Sequence, residues 1–372
     1  MRTDGISVEK RRVASPNLLT GQHLPPFRRA LLRWYDRHRR DLPWRKTHDP
    51  YRIWLSEIML QQTRVAAVLD HYRIFLELFP NVQALAAASE DAVLAAWSGL
   101  GYYRRARMLH RCAQEVTQKH SGTFPRNSKA LLELPGIGRY TAAAIASIAF
   151  AEPVAVVDGN VQRVLQRLIG ITMIGITMTG INLNAAQTWQ SAQALLDKAR
   201  PGDFNQAMME LGAIVCVPRA PRCLTCPVRK WCGTRGEVGR AQGIEPTPAS
   251  RQNKKQIWCA LDWRNGGGSS GGNGTGKGCG NREVRLVQRS RKASLMPGMW
   301  ELPQSGEPPR PLPRSALWRT FHHSITCTHY TVHVLKNAVP PAAKGKWIAI
   351  DRIPQIPITG LTRKILKAGG II

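Results

Sequence analysis

Acidic residues are scarce in this 372-residue chain: 24 Asp and Glu stand against 53 Lys and Arg, a formal net charge of +29. An imbalance of that size attracts polyanions, which means nucleic acid or an anionic membrane surface. Long apolar runs are also missing. The longest uncharged stretch, Leu168 to Leu196, carries Gly, Thr, Asn and Gln throughout. Its mostly apolar part, Leu168 to Ile181, falls short of the roughly 20 residues a spanning helix needs. Met1 to Leu18 has charges but no apolar segment of the secretory kind. These absences argue against a membrane span and a secretory signal. They also place the chain in a reducing compartment, where eight cysteines read as metal ligands rather than disulfides. With 43% hydrophobic and 21% charged residues the composition is that of a globular protein, and the length fits two domains.

Strand-like alternation is nearly absent between about Phe27 and Leu211. Phe27, Ala30, Leu31, Trp34 and Tyr35 recur at helical spacing, with Arg28, Arg29, Arg33, Arg37, Arg39 and Arg40 on the other face. Similar patterns run through Ile53–Phe79, Asp91–Trp97, Arg105–Lys119, Tyr140–Phe150, Val161–Ile169 and Ala185–Ala199. The spacing predicts an all-α domain over 27–232, preceded by a basic extension over 1–26. A short duplication, Gly170-Ile-Thr-Met-Ile-Gly175-Ile-Thr-Met-Thr, falls in a helix connection and carries no chemistry. Residues 233–255 mix Gly, Pro, Thr and basic residues without periodicity, as a linker does. Beyond it, Gln256–Trp263, Glu283–Gln288, Tyr330–Lys336 and Lys346–Ile350 are β-branched and partly alternating, which predicts a smaller α/β or mostly β domain over 256–372. Asn265–Gly280 is almost pure Gly and Ser and reads as a loop joining two strands.

The strongest motif is Cys216-x6-Cys223-x2-Cys226-x5-Cys232. Four thiolates this close can surround one soft metal centre, either a tetrahedral zinc or an iron–sulfur cube, and spacing alone does not choose between them. Arg219 and Arg222 sit within the same loop, where they can present charge to phosphates. A second motif is Leu134-Pro-Gly136-Ile-Gly138-Arg-Tyr140. A helix ends, a Gly-x-Gly turn lets the backbone approach a partner closely, and the amides of a new helix can bind a phosphate. Asp158-Gly-Asn160 follows about twenty residues later, ahead of a helix with Arg163 and Arg167.

Leu-Pro-Gly-Ile-Gly, the Asp158-Gly-Asn160-Val-Gln-Arg segment and the four-cysteine loop together resemble the helix-hairpin-helix DNA glycosylase superfamily. Leu42-Pro-Trp44-Arg45, Trp54-Leu-Ser-Glu57-Ile-Met-Leu60-Gln61-Gln62-Thr63, Gly99-Leu-Gly-Tyr102-Tyr103 and Phe204-Asn-Gln206 are similar to its MutY-type adenine DNA glycosylases. The resemblance runs almost without gap over 27–232. It implies a mainly α helix-hairpin-helix glycosylase fold with an iron–sulfur cluster loop, followed by a smaller α/β Nudix-like domain. It implies removal of adenine mispaired with 8-oxoguanine or guanine in double-stranded DNA, and Cys216, Cys223, Cys226 and Cys232 as ligands of a [4Fe-4S] cluster. The expected protein is a monomer of the bacterial cytoplasm, associated with the nucleoid through DNA.

The site residues follow from the same resemblance. Glu57 protonates adenine N7, a role that suits a carboxyl among Trp54, Leu55, Ile58, Met59 and Leu60, where desolvation favours the neutral acid. Asp158, a helix N-cap, stays charged and stabilises, or briefly bonds to, the cationic C1′ of the sugar. Tyr140 and Asn160 hydrogen-bond around these carboxylates. Trp44, Arg45, Leu60 and Gln206 line the pocket for the extruded adenine. Gln62, Thr63 and Tyr102 probe the base opposite, and Gly136 and Gly138 meet the DNA backbone.

One absence decides the reaction type. The endonuclease III type has a lysine where this chain has Tyr140, and no lysine lies between Lys129 and Lys198. A phenol cannot form an imine, so water rather than an amine completes the reaction and no strand cleavage is expected. In the C-terminal domain, Glu283-Val-Arg-Leu-Val-Gln-Arg289 and Gly298-Met-Trp300-Glu-Leu-Pro303 resemble the Nudix-like region without an intact Nudix box. The family's Phe-Ser-His loop, which reads 8-oxoguanine, corresponds to Ile325-Thr326-Cys327, so Thr326 keeps a hydroxyl and Cys327 replaces the histidine. His329 stands two residues on.

Overall fold

A computed structural model describes residues 21–170, 184–234, 253–265, 282–309, 316–325, 327–336 and 345–372. The duplication after Gly170, most of the linker, the Gly-rich loop, Thr326 and most of the basic extension lie outside the described residues. In chain order the helices are α1 (Leu24–His38), α2 (Pro50–Leu60), α3 (Val65–Leu78), α4 (Val82–Ala87), α5 (Glu90–Ala96), α6 (Arg104–Lys119), α7 (Ser128–Leu131), α8 (Arg139–Phe150), α9 (Gly159–Ile169), α10 (Ala185–Leu195) and α11 (Pro201–Ile214). The strands are β1 (Asn253–Leu261), β2 (Trp263–Asn265), β3 (Arg282–Gln288), β4 (Trp300–Glu301), β5 (Gln304–Ser305), β6 (Leu317–Ile325), β7 (Thr328–Lys336) and β8 (Lys346–Ala349), with α12 (Gly360–Ala368) last. Among the described residues no strand precedes Asn253, so the first part is all-α as expected.

The chain forms two compact units, and neither is continuous in sequence. One gathers the described residues of 1–58 and 123–243, the other those of 59–122 and 244–372. In the first, α1 buries Phe27, Leu31, Trp34 and Tyr35 against Val161, Val164 and Leu165 of α9, Phe204, Met208 and Leu211 of α11, and Trp231. α8 packs an almost continuous Ala, Ile and Ser surface, with Thr141 to Ile148 all buried. Two glycines set how closely α11 can approach. A Cβ at Gly202 would lie 2.7 Å from Ser147 O, and one at Gly212 would lie 2.6 Å from Asn160 Cβ. Any larger residue would push α11 off α8 or off the start of α9.

In the second unit a four-stranded sheet has the order β5-β1-β7-β6, with β1 parallel to β7 and β6–β7 an antiparallel hairpin. β3 of the other sheet pairs with β2, β4 and β8. Cys259, Leu261, Val284, Leu286, Phe321, Val332 and Val334 form the core with Leu361, Ile365 and Leu366 of α12. β6 was not expected, and α2 and α3 differ from the single helical run read over Ile53–Phe79. The helix breaks because Gln62 adopts φ +56°, outside helical geometry.

Within this second unit the sheet module is fastened to the segment after α5. The buried Ser98 Oγ donates to Ile358 O (2.8 Å) and accepts from Arg363 Nε (3.1 Å). Tyr103 OH donates to the same Ile358 carbonyl (3.4 Å), and Arg107 Nη2 donates to Pro297 O (2.6 Å).

Candidate active site

Glu57 projects from α2 with 7% of its surface exposed, next to the buried Trp54, Leu55, Ile58 and Met59. Tyr140, in the first turn of α8, donates its hydroxyl to Glu57 Oε2 at 2.7 Å, and its phenol oxygen lies 3.3 Å from Met209 Sδ. Burial raises the Glu57 carboxyl to about 7. The Tyr140 bond and the Arg45 charge pull it down, while the nearby Asp158 charge pushes it up. Tyr140 itself is held far above the ordinary phenol value, by burial first and by Glu57 and Asp158 next. The phenol therefore remains the donor, Glu57 Oε2 the acceptor, and Oε1 is left to carry a deliverable proton.

Asp158 caps α9 through an Oδ1 that accepts from Val161 N (2.7 Å), while Oδ2 accepts from Asn160 Nδ2 (3.0 Å). The network continues from there. Arg163 Nη2 donates to Asn160 Oδ1 (2.8 Å) and to Gly212 O (2.7 Å), and its Nε donates to Cys216 O (2.9 Å). Arg167, buried, donates to the carbonyls of Val217 and Pro218 and lies 3.3 Å from Cys216 Sγ. These two arginines thus hold the cysteine loop in place, a use the linear reading did not assign to them.

The four cysteines of that loop are free and partly buried, and Cys216, Cys226 and Cys232 pack against the α1–α9–α11 core. Burial pushes Cys226 up to about 11, and Cys232, Cys216 and Cys223 each add to the rise. Among the described residues no three His, Cys, Asp or Glu converge tightly enough to hold a metal ion. Four thiols on one loop are a donor set that suits a thiolate-bound metal centre. Arg219 and Arg222 are exposed beside it. Gly136 has φ +77°, and Gly138, the N-cap of α8, makes no side-chain cap hydrogen bond.

Of the residues expected around the adenine, Trp44 is buried and Arg45 follows it in a short 3-10 turn, while Gln206 is half-buried on α11. Leu60, at the end of α2, is half-buried in the second unit. The linear reading missed what holds Arg45: its Nη2 donates to Glu210 Oε2 at 2.8 Å.

Thr63 and Tyr102 come together in the second unit around Arg105, another residue missed, and Gln62 precedes Thr63 in the chain. Arg105 donates from Nη1 to Met59 O (3.0 Å) and Gln61 O, and from Nη2 to Thr63 Oγ1 (3.1 Å) and Leu100 O (3.3 Å). Its guanidinium carbon lies 5.5 Å from the Tyr102 ring centre. Gln62 and Tyr102 (φ +48°) are both non-glycine residues in the left-handed region, and both are exposed, Tyr102 by 54%. Such conformations cost about 1–3 kcal/mol each and gather at functional sites. Cys327 is exposed at the β6–β7 turn, and His329 Nδ1 lies 2.7 Å from Ser324 Oγ. Among the described residues no helix is long and apolar enough to cross a membrane.

The chain is similar to known DNA repair proteins. Residues 55–177 match the model of the HhH-GPD superfamily base excision DNA repair proteins. The adenine DNA glycosylase of Rattus norvegicus is 44% identical over 277 residues, covering 70% of this chain and 52% of that protein. The Homo sapiens adenine DNA glycosylase is 48% identical over 225 residues, 58% of this chain and 40% of that protein. The solved structure of a thermostable thymine-DNA glycosylase is 33% identical, with a TM-score of 0.51, covering 56% of this chain and 94% of that one. The chain spans about half the length of the first two. It belongs to the HhH-GPD superfamily of base excision DNA repair proteins. Within that superfamily its similarity is to the adenine DNA glycosylases, the MutY type.

Proposed function

We propose that this chain is a monofunctional DNA glycosylase of base excision repair, hydrolysing the N-glycosidic bond of adenine paired with 8-oxoguanine or guanine. The observation that carries it is a buried carboxyl raised to about 7 and hydrogen-bonded by Tyr140, with a second carboxylate, Asp158, close enough to affect it. Two carboxyls in unequal environments can divide acid and electrostatic roles. Adenine is extruded from the duplex into a pocket of Trp44, Arg45, Leu60 and Gln206. Glu57 protonates N7, the bond to C1′ loosens, and Asp158, oriented by Asn160, stabilises the sugar cation until water adds. Tyr140 offers no amine, which favours hydrolysis over lyase chemistry.

Double-stranded DNA is the partner of a monomeric enzyme. Gly136, Gly138, Arg219 and Arg222 meet its backbone, and Gln62, Thr63, Tyr102, Thr326 and Cys327 address the opposite base. Cys216, Cys223, Cys226 and Cys232 hold a [4Fe-4S] cluster, which when bound fixes the shape of the loop that carries Arg219 and Arg222. In linear terms, 27–232 is the glycosylase region, 233–255 the linker and 256–372 the Nudix-like domain, behind a basic extension over 1–26. The net charge of +29 supports a place on the nucleoid of a bacterial cytoplasm. The test is excision from A:8-oxoguanine, A:G and A:C duplexes with and without hot alkali. Release of adenine with strand scission only after alkali supports the reading; scission without alkali, trapped by borohydride, replaces it with a lyase.

A further inference from the structure

Glu210 is a fully buried charge that the proposed chemistry leaves unused. It lies one helical turn after Gln206 on α11 and is 1% exposed. Oε1 accepts from Arg40 N (3.0 Å) and Arg40 Nε (2.8 Å), and Oε2 accepts from Arg40 Nη2 (2.6 Å) and Arg45 Nη2 (2.8 Å). Arg45 also donates from Nη1 to Arg40 O (3.2 Å), and its guanidinium carbon lies 5.5 Å from the Tyr35 ring centre. With 10% of its side chain exposed, Arg45 is clamped on three sides, whereas Arg40 keeps 39% in solvent. Burial alone would raise the Glu210 carboxyl, but the bonds from Arg40 and Arg45 outweigh it and hold it at about 2. It is an anion at every working pH.

The groups that act on Glu57 are Tyr140 on α8, through its hydrogen bond, and the charges of Asp158 at the head of α9 and Arg45 in the 3-10 turn. Arg45 is the cation among them. Left uncompensated, a guanidinium there favours the Glu57 carboxylate and removes the proton that an acid must deliver. We propose that Glu210 is a positioning residue: its buried carboxylate pins Arg45 in place and offsets its charge, so that Arg45 can meet the extruded base without stripping the proton from Glu57. This rests on the adenine-excision reading above. An amide could not substitute, because its single carbonyl oxygen cannot accept all four bonds and its NH2 would face guanidinium donors.

The test titrates Glu57 directly by carbon-13 NMR of protein labelled at the glutamate carboxyls, the resonance being assigned with Glu57→Gln. Single-turnover excision from an A:8-oxoguanine duplex is followed over the same pH range. In Glu210→Gln the Glu57 midpoint falls by about one pH unit, as expected for unmasking a neighbouring cation. Excision then drops by about tenfold above pH 7 and recovers toward wild type near pH 5.5. Glu210→Asp, which keeps the charge, restores the midpoint. A folded Glu210→Gln protein with an unchanged midpoint, or a loss of excision uniform in pH, overturns the proposal. Should that variant not fold, Arg40→Gln/Glu210→Gln removes one cation together with the anion and leaves Arg45 uncompensated. The same downward shift is expected there, and its absence is equally decisive. A wild-type protein that excises no adenine yet shows the Glu57 shift removes the functional reading and leaves the hold of Glu210 on Arg45 standing.

Discussion

Tyr140 and Glu57 share one proton-bearing contact: the phenol donates to Oε2 at 2.7 Å, and the carboxyl it touches is raised to about 7. Glu57 is therefore a working acid below pH 7 and loses its proton as pH rises through that value. Single-turnover excision should be level on the acid side and fall about tenfold per unit well above pH 7. Glu57→Gln should lower it by roughly 100-fold or more. In Tyr140→Phe a bond that favours the carboxylate is gone, so the falling limb moves to higher pH. A limb that moves the other way, or no limb at all, removes Glu57 from the acid role.

Asp158→Asn separates charge from structure. The amide oxygen can still accept from Val161 N, and Asn caps helices about as well as Asp, so the melting temperature should hardly change. The excision rate should fall by about 100-fold or more, as when electrostatic help at a developing charge is lost. A near wild-type rate would show that the sugar cation is stabilised elsewhere.

Gly212→Ala forces a Cβ to within 2.6 Å of Asn160 Cβ. Overpacking of this kind costs typically about 1–3 kcal/mol. The strain falls on the residue that orients Asp158, so excision should slow by more than the lost folded fraction accounts for. Chemical denaturation and single-turnover kinetics on the same preparation check both parts.

Metal analysis of purified protein should find about four irons per chain, the content of one cube. Cys223→Ser should lower iron content and soluble yield together. One zinc and no iron would refute the cluster.

At the β6–β7 turn a thiol is a far weaker hydrogen-bonding group than an imidazole. Cys327→His should widen the ratio of A:8-oxoguanine to A:G processing by roughly 5- to 150-fold, the worth of one good polar contact to a base. Rates must be compared at one salt concentration, since a +29 chain binds any duplex tightly at low ionic strength. If that ratio stays put while His329→Ala collapses it, His329 is the reader.

What could be read without the structure was local. The Gly138–Tyr140 start of α8, the Asp158 cap of α9 and the cysteine loop each lie within a few residues of the signals that announce them. Glu210 and Arg105 were invisible because their partners are remote: Glu210 meets Arg40 and Arg45 some 170 positions earlier, and Arg105 meets Met59 to Thr63. Apolar periodicity runs unbroken through Ile53–Phe79, so the break at Gln62 left no trace in it. β6 escaped for a different reason. Its outer positions carry Thr320, His322 and Ser324, and only pairing with β7 makes such a segment a strand.

Tyr102 and Tyr103 are neighbours with opposite duties. The first is exposed in a strained conformation over Arg105; the second is buried, its hydroxyl on Ile358 O beside that of Ser98. One peptide bond thus joins the exposed, strained ring to the hydrogen bonds that anchor the C-terminal module. A chain shortened before Asn253 would leave Ser98, Tyr103 and Arg107 without those acceptors, one to five residues from the exposed ring. Removing or exchanging the C-terminal module would therefore be felt at the Ser98–Arg107 segment itself, through the loss of the bonds to Ile358 and Pro297.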